Sequence, residues 1–554
     1  MVVGIGTLGI FGFSSLKETT EAQINRNSRE KRPNIIMVIS DDMGYSDMGG
    51  FGSEIQTPHL DALASQGMML TNFHTGPTCS PSRSMILTGI DNHRAGLGTM
   101  FEKLTDNQRG KPGYEGILND RVVTIATILK EGGYHTYMTG KWHLGEEPGQ
   151  RPTDRGFEQV FGILQGGADH YAVLDDVCAA NRAACGTEVT YFSNGQIIEP
   201  PDNFYSARSY TDKMIEFIES NRRTGKPFFG YLAHTSPHAP IQGPEEYTQK
   251  YLDTYSVGWD EIRAQRFERQ KELGIIPDYL ELPPRWPMVE PWNSLSPEEQ
   301  RVEAKKMAVY AGMIHYLDEQ VGKLIDYLKE IGEYENTIIV YFSDNGASFH
   351  LPRKITEDSG YDNSYENIGN PTSFTNLGFG WGQVMTTPHF GAKGGMSEGG
   401  IRGHFVVSYP GTVVPGGRSG AFASVMDLAP TFLDYSGIPH PGTNYKGRSI
   451  HPIDGKSMRS LWEGYANQVY GDDEHIAFEV YGTTNKALFM GDWKILKLGD
   501  EPWGNGPNEP WKLYNLAIDP TETKDLSRMY PQKLQKMITL YEQEERDWGW
   551  VPAE

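Results

Sequence analysis

The sequence predicts an α/β protein with a large, mainly parallel or mixed sheet flanked by helices, followed by a smaller C-terminal α+β domain. Helix-like stretches alternate with short apolar runs, as where VVTIATILKEGG precedes YHTYMTG and DKMIEFIESNRRTGK precedes PFFGYLAH. These runs are rich in Val, Ile, Tyr and Phe without clean polar alternation, which is typical of strands buried on both faces of a parallel sheet. Regular alternation of helix and strand indicates a parallel α/β architecture.

Residues 1–33 form an N-terminal extension or a signal segment. MVVGIGTLGIFGFSS has the apolar character and length of a signal peptide, but it lacks the usual positively charged start. Cys178 and Cys185 lie close together and either form a disulfide or remain two free thiols. The apolar start and this cysteine pair favour export, periplasmic or secreted, over a cytoplasmic location.

Residues 34–440 are predicted to form the large α/β domain, which opens with the buried strand NIIMVIS. The long periodic stretch AKKMAVYAGMIHYLDEQVGKLIDYLKEIG is predicted as a helix, and NTIIVYFS follows it as a strand. From about residue 441 the pattern changes to short antiparallel strands, in EHIAFEVYG, KALFMGDWKILKL and PWKLYNLAIDP. A closing helix, PQKLQKMITLYEQEER, completes the predicted C-terminal domain, residues 441–554.

The composition is that of a globular protein, with 38% hydrophobic and 22% charged residues among 554. The formal net charge of −22 argues against nucleic acids and anionic membranes as partners. No apolar run approaches the roughly 20 residues that a membrane-spanning helix needs. Any anion site must therefore be a local basic pocket on an acidic protein.

Charged and polar residues follow four of the predicted strands at the point where each strand ends. They are Asp41-Asp42 after NIIMVIS, Lys141 and His143 after YHTYMTG, His238 after PFFGYLAH, and Asp344-Asn345 after NTIIVYFS. In a parallel sheet the carboxyl ends of the strands share one edge, where ligands bind. We expect these four groups to meet there.

The acidic and amide groups predict a metal site, and the basic groups predict an anion site. Carboxylate and amide oxygens are ligands for Ca²⁺ or Mg²⁺, although each pair alone is also consistent with turn capping. The predicted metal ligands are Asp41, Asp42, Asp344 and Asn345. The basic set is Lys141, His143, His238 and Lys393. So many buried positive groups require an anion such as sulfate or phosphate, whereas each lysine alone is consistent with an ordinary surface position.

Cys79 lies in CSPSR, which matches the Cys-x-Pro-x-Arg signature of the type I sulfatases. Further stretches are similar to that family in the same order: TPHLDALASQG, TGKWHLG, YFSDNGA, YDNSYENIGN and GGMSEGGIRG. The sequence therefore resembles the formylglycine-dependent sulfatases, and most closely the bacterial arylsulfatases. The resemblance implies the fold of the alkaline phosphatase superfamily and runs from about Asn34 to the last helix.

The resemblance implies an arylsulfatase that hydrolyses sulfate esters to an alcohol or phenol and inorganic sulfate. It assigns one Ca²⁺ to the predicted metal ligands. It makes Cys79, oxidised to Cα-formylglycine by a formylglycine-generating enzyme or equivalent maturase, the nucleophile, which Arg83 holds in place. Lys141, His143, His238 and Lys393 would bind sulfate and move protons. The alternatives are a phosphonate monoester hydrolase or phosphodiesterase of the same superfamily, and an inactive anion-binding protein with an unmodified cysteine.

The sequence departs from the family after EGGIR, where Gly403-His404 replaces the usual Val-Pro. In the family this segment packs near the entrance of the site. We therefore expect the departure to affect the shape of the substrate that is accepted.

Overall fold

The protein is described by a computed structural model that covers residue 1 and residues 31–173, 189–349, 361–499, 502–504, 506 and 508–554. The predicted signal segment and the pair Cys178 and Cys185 lie outside the described residues, so those expectations stay predictions.

A large mixed sheet forms the centre of the fold, and within the described residues it has eleven strands. They are β1 (Asn34–Ser40), β2 (Met68–His74), β3 (His135–Lys141), β4 (Gln159–Ile163), β5 (Tyr191–Ser193), β6 (Gln196–Ile197), β7 (Phe228–Ala233), β8 (Thr337–Ser343), β9 (Arg402–Ser408), β10 (Gly417–Ser419) and β11 (Ala423–Ser424). Their spatial order is β10-β2-β9-β8-β1-β7-β3-β4-β5-β6, and β11 also pairs with β2.

Helices cover both faces of this sheet. In chain order the α-helices of the described residues, of which the last packs on the smaller sheet below, are α1 (Pro58–Gln66), α2 (Cys79–Thr88), α3 (Ile125–Glu131), α4 (Ser206–Asn221), α5 (Glu245–Thr248), α6 (Trp259–Glu272), α7 (Pro297–Glu330), α8 (Gly378–Met385), α9 (Glu398–Ile401), α10 (Leu428–Ser436), α11 (Arg459–Trp462) and α12 (Pro531–Trp548). The long helix α7 begins with a capping box, in which the Ser296 hydroxyl accepts a hydrogen bond from the backbone N–H of Glu299 and the Glu299 carboxylate accepts one from the backbone N–H of Ser296.

The four central strands are parallel neighbours in the order β8-β1-β7-β3. Ile35 of β1 is in register with Phe229 of β7 on one side and Ile338 of β8 on the other. Every residue of β1, β7 and β8 is buried, because hydrophobic cores lie on both faces of the sheet. The predicted α/β class and the buried parallel strands are confirmed.

A separate antiparallel sheet lies toward the C-terminus, after a short hairpin of β12 (Asn444–Tyr445) and β13 (Arg448–Ser449). Its strands, in sequence and spatial order, are β14 (His475–Glu479), β15 (Lys486–Met490), β16 (Trp493–Lys497) and β17 (Lys512–Asn515). Helix α12 packs on this sheet and shares a small apolar core with it. The predicted strands and closing helix are thus present, while the exact domain boundaries stay predictions.

Two further expectations can be compared with the described residues. Each helix there is too short or too polar to cross a lipid bilayer. His404 lies within β9, is fully buried, and stacks on Tyr341 with a ring-centroid distance of 5.4 Å. The ring of His404 thus belongs to the core, while the expected effect of this departure on the accepted substrate stays a prediction.

Candidate active site

The loops that follow β8, β1, β7 and β3 meet at the carboxyl edge of the central sheet, as the strand order requires. Each loop contributes some of the ten predicted site residues, which are the four metal ligands, the four basic residues, Cys79 and Arg83. The backbone N–H groups of Asp41 and Asp344 donate to the carbonyl oxygens of Ser236 and Ser40, which ties three of these loops together. The predicted convergence is therefore present in the structure.

Three carboxylates and an amide form the acidic part of the site, and all are buried. Asn345 donates a hydrogen bond from Nδ2 to Oδ1 of Asp42 at 2.6 Å. Asp42 has a left-handed backbone with φ of 66°, an unusual conformation for a residue other than glycine. Burial and the nearby Asp41 raise the pKa of Asp344. Such a group of carboxylates is unfavourable unless positive charge surrounds it.

Two buried lysines supply part of that positive charge. Nζ of Lys141 donates to Oδ2 of Asp41 at 2.7 Å, and Nζ of Lys393 donates to Oδ1 of Asp42 at 2.6 Å. Burial lowers the pKa of each ammonium group, but the carboxylates outweigh that effect and raise it. Both lysines are therefore charged at neutral pH.

Cys79 is the first residue of α2, so the positive end of that helix dipole lies beside it. Its Sγ accepts a hydrogen bond from Nζ of Lys393 at 3.1 Å and lies 3.8 Å from Oδ1 of Asp41. Burial raises the pKa of the Cys79 thiol to about 12. Since the thiolate is the nucleophilic form, an unmodified cysteine here would be a poor nucleophile.

Arg83 lies one turn further along α2 and connects the helix with two of the loops. Its Nε donates to Oδ2 of Asp344 at 2.8 Å, and its Nη1 donates to the backbone carbonyl of Lys141 at 2.9 Å. The side chain is fully buried. Arg83 thus fixes α2, and with it Cys79, against the edge of the sheet.

The two predicted histidines lie at the outer part of the same site. Nε2 of His238 is 3.4 Å from Oδ2 of Asp42, and its Nδ1 donates to the carbonyl of Ala239 at 2.6 Å. Burial lowers the pKa of His238 to about 3. Nδ1 of His143 is buried and has no hydrogen-bond partner within the described part of the chain. That nitrogen is available to a ligand.

Glu102 is a site residue that the sequence did not predict. Its Oε1 lies 3.1 Å from Nε2 of His143 and fixes the orientation of that ring. Burial raises the pKa of Glu102, but His143 outweighs this effect and lowers it to about 2. Glu102 lies in a single short turn, Phe101–Lys103, and neither a motif nor a periodic pattern distinguishes it from other surface glutamates.

The acidic part of the site fits a hard divalent cation. Oδ1 of Asp344 and Oδ1 of Asn345 are buried oxygens without a hydrogen-bond partner among the described residues. Ca²⁺ binds six to eight such oxygens. Ligand atoms of Asp41, Asp42, Cys79 and His238 lie within 4.8 Å of one another. The residue at position 79 is therefore adjacent to the candidate metal site.

The sulfatase family model matches residues 33–438 of the sequence. The chain belongs to the sulfatase family. A second family model, the C-terminal part of N-sulphoglucosamine sulphohydrolase, matches residues 389–545. The resemblance inferred from the motifs is thereby confirmed at the level of the family.

Two relatives extend this result along the chain. An arylsulfatase of Klebsiella aerogenes is 39% identical over 439 residues, which cover 78% of this chain and 93% of that protein. An uncharacterized sulfatase of Schizosaccharomyces pombe is 39% identical over 541 residues, 96% of each chain. This sulfatase is accordingly a sulfuric ester hydrolase that acts on sulfate esters.

The fold of this sulfatase is also similar to solved structures. The crystal structure of Ps i-CgsB in complex with k-i-k-neocarrahexaose superimposes with a TM-score of 0.67 and is 25% identical. The match covers 94% of this chain and 95% of that one. The alkaline phosphatase-like α/β architecture with a C-terminal antiparallel sheet agrees with this similarity.

Proposed function

We propose that this sulfatase is an arylsulfatase in which residue 79, oxidised from cysteine to formylglycine, is the nucleophile beside a bound Ca²⁺. The observation that carries the proposal is the position of Cys79. It starts α2 next to the carboxylate cluster, and the Lys393 ammonium contacts its side chain. The sequence CSPSR around it matches the sulfatase signature in which this cysteine is oxidised.

The metal ligands would be Asp41, Asp42, Asp344 and Asn345. When bound, Ca²⁺ supplies positive charge that favours deprotonation of a neighbouring hydroxyl group and stabilises charge on a sulfuryl oxygen. A hydrated formylglycine supplies two hydroxyl groups on one carbon, which a serine or cysteine does not. Production of that group requires a formylglycine-generating enzyme or an equivalent maturase as a partner.

The basic residues would bind the sulfuryl group. Lys141 and Lys393 are paired with Asp41 and Asp42, so their ammonium groups are fixed in direction before the substrate arrives. The first turn of α2 adds backbone N–H groups at the positive end of its dipole. Such preorganised charge is usually the largest contribution to catalysis of group transfer.

Protons would move through the two histidines and Lys393. His238 or Lys393 would donate a proton to the departing alcohol or phenol oxygen. Lys393 carries that proton at rest, whereas His238, whose pKa burial lowers, would first have to gain one. His143 would accept a proton from the second hydroxyl of the hydrated formylglycine, as sulfate leaves and the aldehyde forms again. The accepting atom would be Nδ1, because Glu102 already contacts Nε2. A carboxylate on the second nitrogen stabilises the imidazolium that forms.

A comparison of two chromogenic substrates tests the proposed reaction. We expect hydrolysis of a nitrophenyl sulfate to exceed hydrolysis of a nitrophenyl phosphonate ester by orders of magnitude in kcat/KM. Sulfate and phosphonate groups are similar in shape, so relatives of the superfamily that share this site act on either. A preference for the phosphonate ester would instead identify a phosphonate monoester hydrolase or phosphodiesterase.

We further propose that this sulfatase is exported. Export is supported by the apolar N-terminal segment of the sequence. The substrate would then be a small sulfate ester outside the cytoplasm.

A further inference from the structure

Two consecutive glycines, Gly166 and Gly167, follow β4 and lie against the rings of the two histidines in the candidate active site. A Cβ added to Gly166 would lie 2.4 Å from Cε1 and 2.6 Å from Nε2 of His143. A Cβ added to Gly167 would lie 3.3 Å from Cε1 of His238. Non-bonded carbon atoms normally remain about 3.5–4.0 Å apart. Gly166 therefore has no space for a side chain, and Gly167 has very little.

Hydrogen bonds fix the start of this segment beside His143. The backbone N–H of His143 donates to the carbonyl of Leu164 at 3.0 Å. Gln165 is buried, donates from Nε2 to the hydroxyl of Thr190 at 3.0 Å and accepts from the N–H of Thr190 at 2.7 Å. The backbone of His143 is itself left-handed, with φ of 59°, which is uncommon for a residue other than glycine. The backbone on each side of the contact between Gly166 and the ring is therefore fixed.

The buried residue His170 fixes the other end of the segment to the loop that carries His238. Its Nε2 donates to the carbonyl of His238 at 2.8 Å, and its Nδ1 accepts from the hydroxyl of Ser206 at 2.7 Å. The backbone N–H of His170 donates to Oε1 of Gln242 at 3.0 Å. The segment thus contacts His238 twice, at the ring through Gly167 and at the backbone through His170.

We propose that Gly166 is a positioning residue that holds the ring of His143 in the orientation needed for a proton acceptor; this rests on the proposed function. The contact with Glu102 alone is a weak restraint, because that side chain is 42% exposed and exposed ion pairs contribute about 1 kcal/mol or less. Gly166 limits the movement of the ring, and Glu102 selects Nε2 as the nitrogen that is paired. Since Gly166 does not have a left-handed φ, its packing on the ring is the reason for glycine at this position.

The kinetics of the Gly166→Ala variant test this role. The added methyl group must displace the His143 ring, and a misplacement of about 1 Å costs about 100-fold in rate. We therefore expect kcat for nitrophenyl sulfate to fall about 100-fold. His143 acts as sulfate leaves, after nitrophenol has been released, so KM should fall with kcat and kcat/KM should change much less. A rapid burst of nitrophenol, in proportion to the enzyme, should precede the slow turnover.

A crystal structure of the same variant provides a readout that needs no catalysis. We expect the distance between Nε2 of His143 and Oε1 of Glu102, which is 3.1 Å in the unsubstituted protein, to exceed hydrogen-bonding length. The matched control is Gly420→Ala, because Gly420 is exposed and an added Cβ would lie 3.9 Å from the nearest atom of another segment, Oγ1 of Thr71. That variant should keep both the activity and the position of the ring.

The converse variant, Glu102→Ala, tests the proposal even if Gly166→Ala does not fold. Glu102 lies in an exposed turn, so its truncation leaves the fold intact. We expect the His143 ring to keep its position in a crystal structure of Glu102→Ala, because Gly166 still packs against it. A displaced ring in this variant would contradict the role of Gly166.

Two results with Gly166→Ala would also overturn this role: an unmoved His143 ring, or a lower kcat with unchanged KM and no burst, which indicates only a loss of folded protein. Failure of the proposed function would have a different signature. In that case the unsubstituted protein would not hydrolyse nitrophenyl sulfate, yet Gly166→Ala would still displace the His143 ring.

Discussion

Replacement of Cys79 by alanine should abolish hydrolysis of sulfate esters while the chain remains folded. Removal of the nucleophile from an enzyme that works through a covalent intermediate costs about four orders of magnitude or more in kcat. The structural cost is small, because alanine suits the start of α2 and only the small group attached to Cβ is lost. Lys393 retains its contact with Asp42. We expect a decrease of about 1 kcal/mol in the free energy of unfolding.

The measurements are turnover of nitrophenyl sulfate and thermal unfolding followed by circular dichroism. Ser84→Ala is the matched control, since Ser84 is in the same helix and its hydroxyl donates only to the carbonyl of Pro81. That variant should lose a little stability and keep its activity. Turnover by Cys79→Ala at the unsubstituted rate would refute the assignment of residue 79 as the nucleophile.

Removal of Ca²⁺ should inactivate the protein and lower its melting temperature. Without the ion, buried oxygens such as Oδ1 of Asp344 and Oδ1 of Asn345 have no ligand within the described part of the chain, because Arg83 and the two lysines contact other atoms of the cluster. Loss of several kcal/mol of charge stabilisation corresponds to at least about a 100-fold fall in kcat. Ligand binding also stabilises the native state by mass action, so the melting temperature should rise again when Ca²⁺ is restored.

The experiment uses exhaustive chelation with EGTA, elemental analysis for residual metal, and readdition of Ca²⁺ or Mg²⁺. Asp344→Asn should reduce the affinity for Ca²⁺ and the activity together. Asp318→Asn is a suitable control, because Asp318 is a buried carboxylate that accepts hydrogen bonds from the start of α1, apart from the ten predicted site residues. It should lower stability without changing the dependence on Ca²⁺. Full activity in metal-free protein would contradict the metal site.

Much of the site could be predicted because its residues follow the ends of buried strands. The end of a strand is a local property of the sequence. Here the apolar run NIIMVIS ends directly before Asp41, and the run NTIIVYFS ends directly before Asp344. The parallel sheet then brings those ends to one edge. Arg83 was identifiable for a different reason, since it belongs to a short motif within one helix.

Other features depend on contacts between segments that are distant in sequence. Glu102 lies in a turn without a motif, and its contact with His143 forms only when loops distant in sequence pack together. The burial of His404 could not be predicted either, because the position of a motif says little about which of its side chains face the core. In the structure this ring occupies a space between Tyr341 and Phe51.

The central claim concerns the chemical state of residue 79. Mass spectrometry of the peptide that contains it, taken from active protein of the native source, tests that claim most directly. We predict that the cysteine side chain is replaced by an aldehyde or its hydrate, with oxygen where sulfur was. Recovery of only the intact Cys79 thiol from fully active protein would contradict the account.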